Sequence, residues 1–182
     1  MAEGANLDLS AIRTTLHLGT HADAPSHYIR DGQGIATVDL EPYVGPCQVV
    51  GIELPRSERI YPRHLADAIR APRVLFKTGS FPDPEIFNQD FNSLSSELIH
   101  HLYDKGCVLV GIDTPSVDPF DSKLLETHQA LGRTGMRNLE GLVLDHVVPG
   151  TYTLIALPLK LEGADASPVR AVLIQDETFA RA

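Results

Sequence analysis

Short apolar runs bounded by Gly or Pro recur along the chain and predict buried strands. These runs are Val49–Leu54, Arg73–Lys77, Cys107–Asp113 and Tyr152–Leu159, with Ala171–Gln175 as a further candidate. Four to eight residues is the usual length of a strand that is buried on both faces. The first forty residues are predicted to be all-β.

Helical spacing of apolar residues lies between some of these runs. The clearest case has Leu94, Leu98 and Leu102 in phase, with Ser95 or Ser93 as the N-cap and Gly106 as the stop. Three more segments are candidate helices: Pro62–Arg70, Ser122–Leu131 and Asn138–His146. Strands and helices alternate only loosely, so the sequence predicts an α/β fold with a mixed β-layer and helices in a single domain, 1–182.

Composition and charge exclude several classes of protein. The chain has 24 acidic and 15 basic residues, a net charge of -9 and no basic run, so nucleic acid is not an expected partner. No apolar stretch approaches the roughly 20 residues that a membrane helix needs, and the N-terminus has no signal-peptide pattern. Cys47 and Cys107 adjoin strand-like runs, which predicts buried free thiols in a protein of the reducing cytoplasm.

Four polar residues near the N-terminus share one register. His17, His21, Asp23 and His27 all have odd numbers, and alternate side chains of a strand point to the same face. A glycine and a proline within the segment argue against a continuous helix. We therefore expect a strand and its exit to bring three imidazoles and one carboxylate to one pocket.

Imidazole and carboxylate are the ligands that zinc binds, and manganese and iron also accept them. His17, His21 and Asp23 would leave an open position on the ion, which is typical of a catalytic site. His27 could be a further ligand or a free base beside the metal. The alternative is a polar strand with no ligand, but three histidines and an aspartate in phase favour a site.

Other polar residues give weaker signals. His128 and Glu140 form a possible second cluster, although their spacing alone says little. The loop Asp113–Asp118 could border the pocket or simply close a strand with a turn. The sequence indicates no function for the remaining histidines, which are His64, His100, His101 and His146.

The string His-Leu-Gly-Thr-His-Ala-Asp-Ala-Pro-Ser-His-Tyr at 17–28 resembles the signature of the cyclase-like metal-dependent hydrolases. Within that family the chain resembles the bacterial arylformamidases. The supporting strings lie at 43–47, 111–119, 139–144, 156–159 and 165–171. The similarity extends from about residue 12 to 174. It implies a compact fold of β-layers and helices and assembly as a homodimer or a larger homo-oligomer.

The resemblance also implies two zinc ions per chain, with manganese as a possible substitute. Five residues would hold them: His17, His21, Asp23, His128 and Glu140. In this assignment Asp23 bridges the ions, His128 binds the second ion and Glu140 contacts both. His27 matches the residue that gives and accepts the proton.

The implied reaction is hydrolysis of N-formyl-kynurenine to kynurenine and formate in tryptophan catabolism. Two alternatives are a related amidase or lactone hydrolase, and a metal-binding protein with weak activity. Family members carry a longer segment before the signature, with an aromatic residue, usually tryptophan, at the substrate pocket. Sixteen residues precede His17 here and the chain has no tryptophan, so we expect metal binding to be kept and substrate recognition to be reduced.

Overall fold

Ten strands and three α-helices build the fold of residues 6–175, the part of the chain that the computed structural model describes. The strands are β1 (His21–Asp23), β2 (Val44–Gly51), β3 (Arg59–Ile60), β4 (Arg73–Lys77), β5 (Ser93–Leu94), β6 (Leu109–Ile112), β7 (Arg137–Glu140), β8 (Gly150–Ile155), β9 (Ala166–Pro168) and β10 (Val172–Ile174). The helices are α1 (Pro25–Tyr28), α2 (Ser96–Asp104) and α3 (Glu126–Thr134), with 3₁₀ turns at Ile35–Thr37, Glu41–Tyr43 and Pro62–His64. None of the helices described has the length and apolar character that crossing a bilayer requires.

Eight strands form one mixed sheet in the order β10–β8–β2–β4–β6–β7–β1–β9. The four central strands, β2, β4, β6 and β7, are parallel neighbours. Both flanks pair antiparallel, through β8 and β10 on one side and β1 and β9 on the other. β3 and β5 form a separate parallel pair. This is the mixed α/β fold that was expected, while the domain bounds 1–182 stay a prediction because they include residues outside 6–175.

Successive residues of the central strands face two different cores. In β4, Val74 and Phe76 belong to the core that α2 and α3 cover, whereas Leu75 belongs to the core on the other face. In β2, Val50 and Val49 divide in the same way. Because side chains alternate along a strand, a run that is apolar throughout must be buried on both faces.

All five apolar runs that predicted strands lie on strands of this sheet. They correspond to β2, β4, β6, β8 and β10, and β4 matches the predicted run at both ends. The ends of the other four strands differ from the prediction by a few residues.

The helix predicted around Leu98 and Leu102 is confirmed as α2. Of the two candidate caps, Ser95 is the N-cap, since its Oγ accepts a hydrogen bond from the Leu98 amide at 3.1 Å. Gly106 follows the helix with a φ of 83°, a conformation that suits glycine at a helix end. Leu98 and Leu102 are both buried against the sheet.

The helix predicted at Pro62–Arg70 is wrong, because only the turn Pro62–His64 is helical. The backbone beyond it has another partner. The side chain of Gln48 accepts a hydrogen bond from the Arg70 amide at 2.9 Å and donates one to the Ala68 carbonyl at 3.2 Å. These backbone groups therefore bind a side chain of β2 instead of forming helical hydrogen bonds.

Two other predicted helices are corrected as well. Asn138–His146 contains no helix, since its first residues form β7, which pairs with β6 and β1. Pairing on both sides overrides local helical preference. Ser122–Leu131 is helical only from Glu126 onward, because Leu125 has left-handed φ and ψ of 48° and 50°.

The first forty residues are not all-β. Among residues 6–40, only His21–Asp23 forms a strand, and α1 follows it. This change affects the geometry of the candidate site.

Both cysteines are buried and unpaired, as predicted. Burial raises the pKa of the Cys47 thiol to about 12 and that of Cys107 to about 11. The two thiols are therefore protonated near neutral pH and are poor nucleophiles.

Candidate metal centre

His21 and Asp23 enter the site from the short strand β1. Within the sheet His21 lies opposite Glu140 of β7 on one side and Pro168 of β9 on the other. Two residues apart on a strand, His21 and Asp23 project from the same face. The carboxylate of Glu140 joins them from the adjacent strand.

His17 and His27 lie outside the strand that was predicted to carry the four side chains, together with its exit. His17 precedes β1, and Gly19 between them has a φ of 59°. His27 lies on α1, which begins at Pro25, a residue suited to the first helical position. The predicted strand is therefore limited to His21–Asp23 and its exit is helical, although the structure does bring the four side chains together.

Gly141 allows the end of β7 to approach the backbone that precedes β1. It has a φ of 63°, and a Cβ there would collide with the carbonyl oxygen of Gly19. Thr20 Oγ1 also donates a hydrogen bond to the Gly141 carbonyl at 2.8 Å. This close approach places Glu140 beside the imidazoles.

The carboxylate of Asp23 divides its two oxygens among three imidazoles. Oδ1 lies 3.2 Å from Nδ1 of His17 and 3.5 Å from Nε2 of His21. Oδ2 lies 3.4 Å from Nε2 of His128, on helix α3. Asp23 is fully buried, so its charge is compensated by these groups and not by water.

Glu140 is placed between two of the same imidazoles. Its Oε2 is 3.4 Å from Nε2 of His21, and its Oε1 is 3.3 Å from Nε2 of His128. The structure thus brings His128 and Glu140 to the N-terminal cluster, which their spacing along the chain could not show.

Hydrogen bonds behind the imidazoles fix which nitrogen faces the centre. Nδ1 of His21 is 2.9 Å from the carbonyl oxygen of Gly19, and Nδ1 of His128 is 2.8 Å from Oδ2 of Asp118. An Nδ1–H that donates to an oxygen leaves the Nε2 lone pair facing inward, which is the usual arrangement of a metal-binding histidine.

Two further groups hold the carboxylates, and the sequence analysis did not identify them. Asn138 Nδ2 donates to Asp23 Oδ2 at 2.7 Å, and the Val117 amide donates to Glu140 Oε1 at 2.9 Å. Asn138 was assigned to a helix, whereas β7 directs its side chain toward Asp23. The strand register was the missing information.

Asp118 decides between the two interpretations of the loop Asp113–Asp118. Its carboxylate accepts hydrogen bonds from the backbone amides of Thr127 and His128 at 3.0 and 3.1 Å, in addition to its contact with the His128 ring. The loop therefore does more than close a strand, since it holds the start of α3 and orients one imidazole.

The electrostatics of the cluster favour positive charge. The neighbouring carboxylate of Asp23, 3.2 Å from Nδ1 of His17, is the main factor that raises the pKa of His17 to about 9. Burial lowers the pKa of His128, but Asp118, Asp23 and Glu140 outweigh it and raise that pKa to about 12. Burial raises the pKa of Asp23, yet the neighbouring imidazoles lower it overall.

Three inward-facing atoms have no hydrogen-bond partner among residues 6–175: Nε2 of His21, Nε2 of His128 and Oδ1 of Asp23. Buried polar atoms are normally paired. Lone pairs of imidazole and carboxylate that converge in a buried cluster suit a divalent cation. The residues present therefore fit a metal ion.

His27 lies at the exposed side of this cluster. Its Nδ1 is 3.2 Å from Oδ2 of Asp165, and the same oxygen is 3.2 Å from Nε2 of His17. The His17 and His27 ring centroids are 4.1 Å apart. Ligand atoms of His17, Asp23 and His27 lie within 4.8 Å of one another, so the local geometry still permits His27 as a ligand. Asp165 lies in one of the segments that resemble the family, 165–171, but the sequence predicted no role for it.

A cavity of about 380 Å³ adjoins His17 and His21. Apolar side chains dominate the rest of its lining, including Phe81, Phe87 and Leu142. An apolar pocket of this size beside converging polar groups suits a small molecule.

The histidines without an assigned function lie elsewhere. His100 is exposed on α2, and His146 is exposed and contacts Asp145. His64 accepts a hydrogen bond from the Tyr61 amide.

Comparison with solved structures shows the class of protein. The chain has a TM-score of 0.79 and 33% identity to a "Potential Metal-Dependent Hydrolase With Cyclase Activity", covering 90% of this chain and 81% of that one. A "predicted metal-dependent hydrolase from Bacillus stearothermophilus" gives a TM-score of 0.78 and 32% identity, with coverage of 95% and 83%. Isatin hydrolase A from Labrenzia aggregata gives 0.73 and 25%, with coverage of 89% and 75%.

Comparison with sequences is more specific. The profile of the family described as "Putative cyclase" matches residues 4–119. Kynurenine formamidase of Bordetella petrii is 46% identical over 92% of this chain and 80% of its own length. That of Salinibacter ruber is 47% identical over 93% and 81%. The chain therefore belongs to the cyclase family of metal-dependent hydrolases, in the group of the bacterial kynurenine formamidases.

Replacement of Asp118 by Asn tests the geometry behind His128. The amide still accepts a hydrogen bond but removes the charge beside Nδ1, so metal affinity should fall about 10- to 100-fold. Metal titration of the metal-free protein gives the affinity. Asp121→Asn, an exposed residue of the same loop, is the matched control. Equal affinities for Asp118→Asn and the control would show that Asp118 does not support a ligand.

Proposed function

We propose that this chain hydrolyses the formamide of N-formyl-kynurenine and releases kynurenine and formate. One observation carries this proposal: three imidazoles and two carboxylates converge beside an apolar pocket, and three of their atoms have no hydrogen-bond partner among the residues described, namely Nε2 of His21, Nε2 of His128 and Oδ1 of Asp23. The 46% and 47% identities to proteins named kynurenine formamidase support this substrate. Assembly as a homodimer and location in the cytoplasm stay predictions.

The proposed cofactor is a pair of zinc ions, with manganese as the alternative. His17, His21 and Asp23 would hold one ion and His128 the other. Asp23 would bridge the two, because its two oxygens face different imidazoles. Glu140 would contact both ions, because its two oxygens also face different imidazoles. A bound divalent ion would polarise the amide carbonyl and lower the pKa of a bound water to about 7.

His27 is the proposed proton carrier. It would accept a proton from the attacking water and deliver it to the departing aniline nitrogen. Asp165 would hold Nδ1 of His27, so that Nε2 faces the substrate. The ring is about one-third exposed, which suits a group that exchanges protons. Phe81, Phe87 and Leu142 would enclose the aryl ring and keep bulk water out.

Asp23→Ala tests the bridge. If Asp23 contacts both ions, its removal should reduce the metal content from two ions per chain to nearly none. Elemental analysis of protein purified without added metal gives the count. Asp39→Ala removes an exposed carboxylate and should keep both ions. Retention of one full equivalent in Asp23→Ala would refute the bridging role, and one equivalent or less in the unmodified protein would refute the pair.

His27→Ala tests the reaction and the role of this histidine together. The unmodified protein should hydrolyse N-formyl-kynurenine faster than isatin, the ring substrate that the names of its structural neighbours suggest. His27→Ala should lower turnover about 10²–10⁴-fold, the usual effect of losing a general acid–base group. Metal content should stay the same, since none of the five proposed ligands changes.

His100→Ala, a change at an exposed position of α2, is the matched control and should keep full turnover. Loss of metal in His27→Ala, with activity partly restored by added zinc, would make His27 a ligand. Faster hydrolysis of isatin would favour the related lactam or lactone hydrolase, and turnover of neither substrate would favour the metal-binding protein.

A further inference from the structure

The pocket beside the metal centre has a cation in its lining. His17 and His21 line it together with Lys77, the last residue of β4. Lys77 also borders a larger cleft of about 920 Å³. Its ammonium donates a hydrogen bond to the carbonyl of Asp145, another residue that lines the smaller pocket.

The ammonium of Lys77 is only partly satisfied. It donates to the carbonyl oxygens of Asp145 at 2.9 Å and Val147 at 2.8 Å. An ammonium has three N–H groups, so one has no acceptor among the residues that the structure describes. In the same part of the chain no carboxylate oxygen lies within 4.0 Å of it.

The two carboxylates that line this pocket have other partners. Asp113 accepts hydrogen bonds from the amides of Thr78 and Gly79, both at 2.8 Å, and from Thr78 Oγ1 at 2.6 Å. The side chain of Asp145 is 79% exposed and contacts His146 at 2.9 Å. Lys77 is therefore a half-buried cation without an anion, in a pocket that is mostly apolar.

We propose that Lys77 binds the carboxylate of the substrate's amino-acid end. This inference rests on the proposed function, since N-formyl-kynurenine carries the formamide on its ring and an α-carboxylate at the end of its side chain. The formamide would lie at the His17 and His21 wall, the ring against Phe81 and Phe87, and the carboxylate at the free N–H of Lys77. A carboxylate supplies the charge and the acceptor that Lys77 lacks.

Lys77 could instead serve only to fix the loop at 145–147, and binding measurements separate the two roles. L-kynurenine keeps the carboxylate, whereas 2-aminoacetophenone keeps the ring and ketone without the amino-acid group. In Lys77→Gln, the affinity for L-kynurenine should fall about 10- to 100-fold, the usual effect of losing a charged hydrogen bond. The affinity for 2-aminoacetophenone should not change, and calorimetry of the metal-loaded protein measures both ligands.

Two further variants complete the test. Lys77→Arg keeps the charge and should retain most of the affinity for L-kynurenine, while Lys160→Gln makes the same charge change at an exposed site and should have no effect. Equal weakening of both ligands in Lys77→Gln would mean that Lys77 acts through the loop, and unchanged affinity would also refute the proposal.

The results that would refute the proposed function differ from those that would refute only the role of Lys77. If the unmodified protein binds L-kynurenine and hydrolyses N-formyl-kynurenine but Lys77→Gln behaves identically, only the role of Lys77 is refuted. If the unmodified protein neither binds L-kynurenine nor hydrolyses N-formyl-kynurenine, both proposals are refuted.

Discussion

The burial of two carboxylates among three imidazoles is the constraint on which the rest of this structure depends. Asp23 is fully buried and Glu140 is 4% exposed. A buried carboxylate is costly unless charge and hydrogen bonds compensate it. Each of these carboxylates faces imidazoles of different elements with its two oxygens, so the fold must bring β1, β7 and α3 to one point. The pairing of β7 with β1 brings two of these elements together, and Asp118, in the loop after β6, holds the start of α3 beside them.

The remaining contacts hold that point in place. Asp118, in the loop after β6, binds the start of α3 and the ring of His128. Asn138 connects β7 to Asp23. Gly141 allows the backbone after β7 to approach the backbone before β1, because a Cβ at this position would collide with the carbonyl oxygen of Gly19. These contacts orient the imidazoles and carboxylates before a cation binds. Groups that hydrogen-bond to the ligands of a metal site usually act in this way.

Local sequence predicted much of the fold but only part of the site. The run Arg73–Lys77 is apolar on both faces and therefore had to be a buried strand. By contrast, the helix predicted at Pro62–Arg70 failed because Gln48, distant in the chain, binds its backbone. Glu140 joins His21 through strand pairing, and His128 joins them through the position of α3; residue spacing shows neither contact. The family resemblance supplied these two residues where periodicity could not.

The effect of zinc on thermal unfolding tests the central claim most directly, because a cation that binds only the folded cluster must stabilise it. When free zinc is added to the metal-free protein at a hundred times its Kd, the free energy of unfolding should increase by about 2.7 kcal/mol and Tm by about 5–10 °C. The increase should follow the zinc concentration and vanish when a chelator is added. An unchanged Tm across that range would show that the buried carboxylates and imidazoles compensate one another without a metal, and would contradict this account.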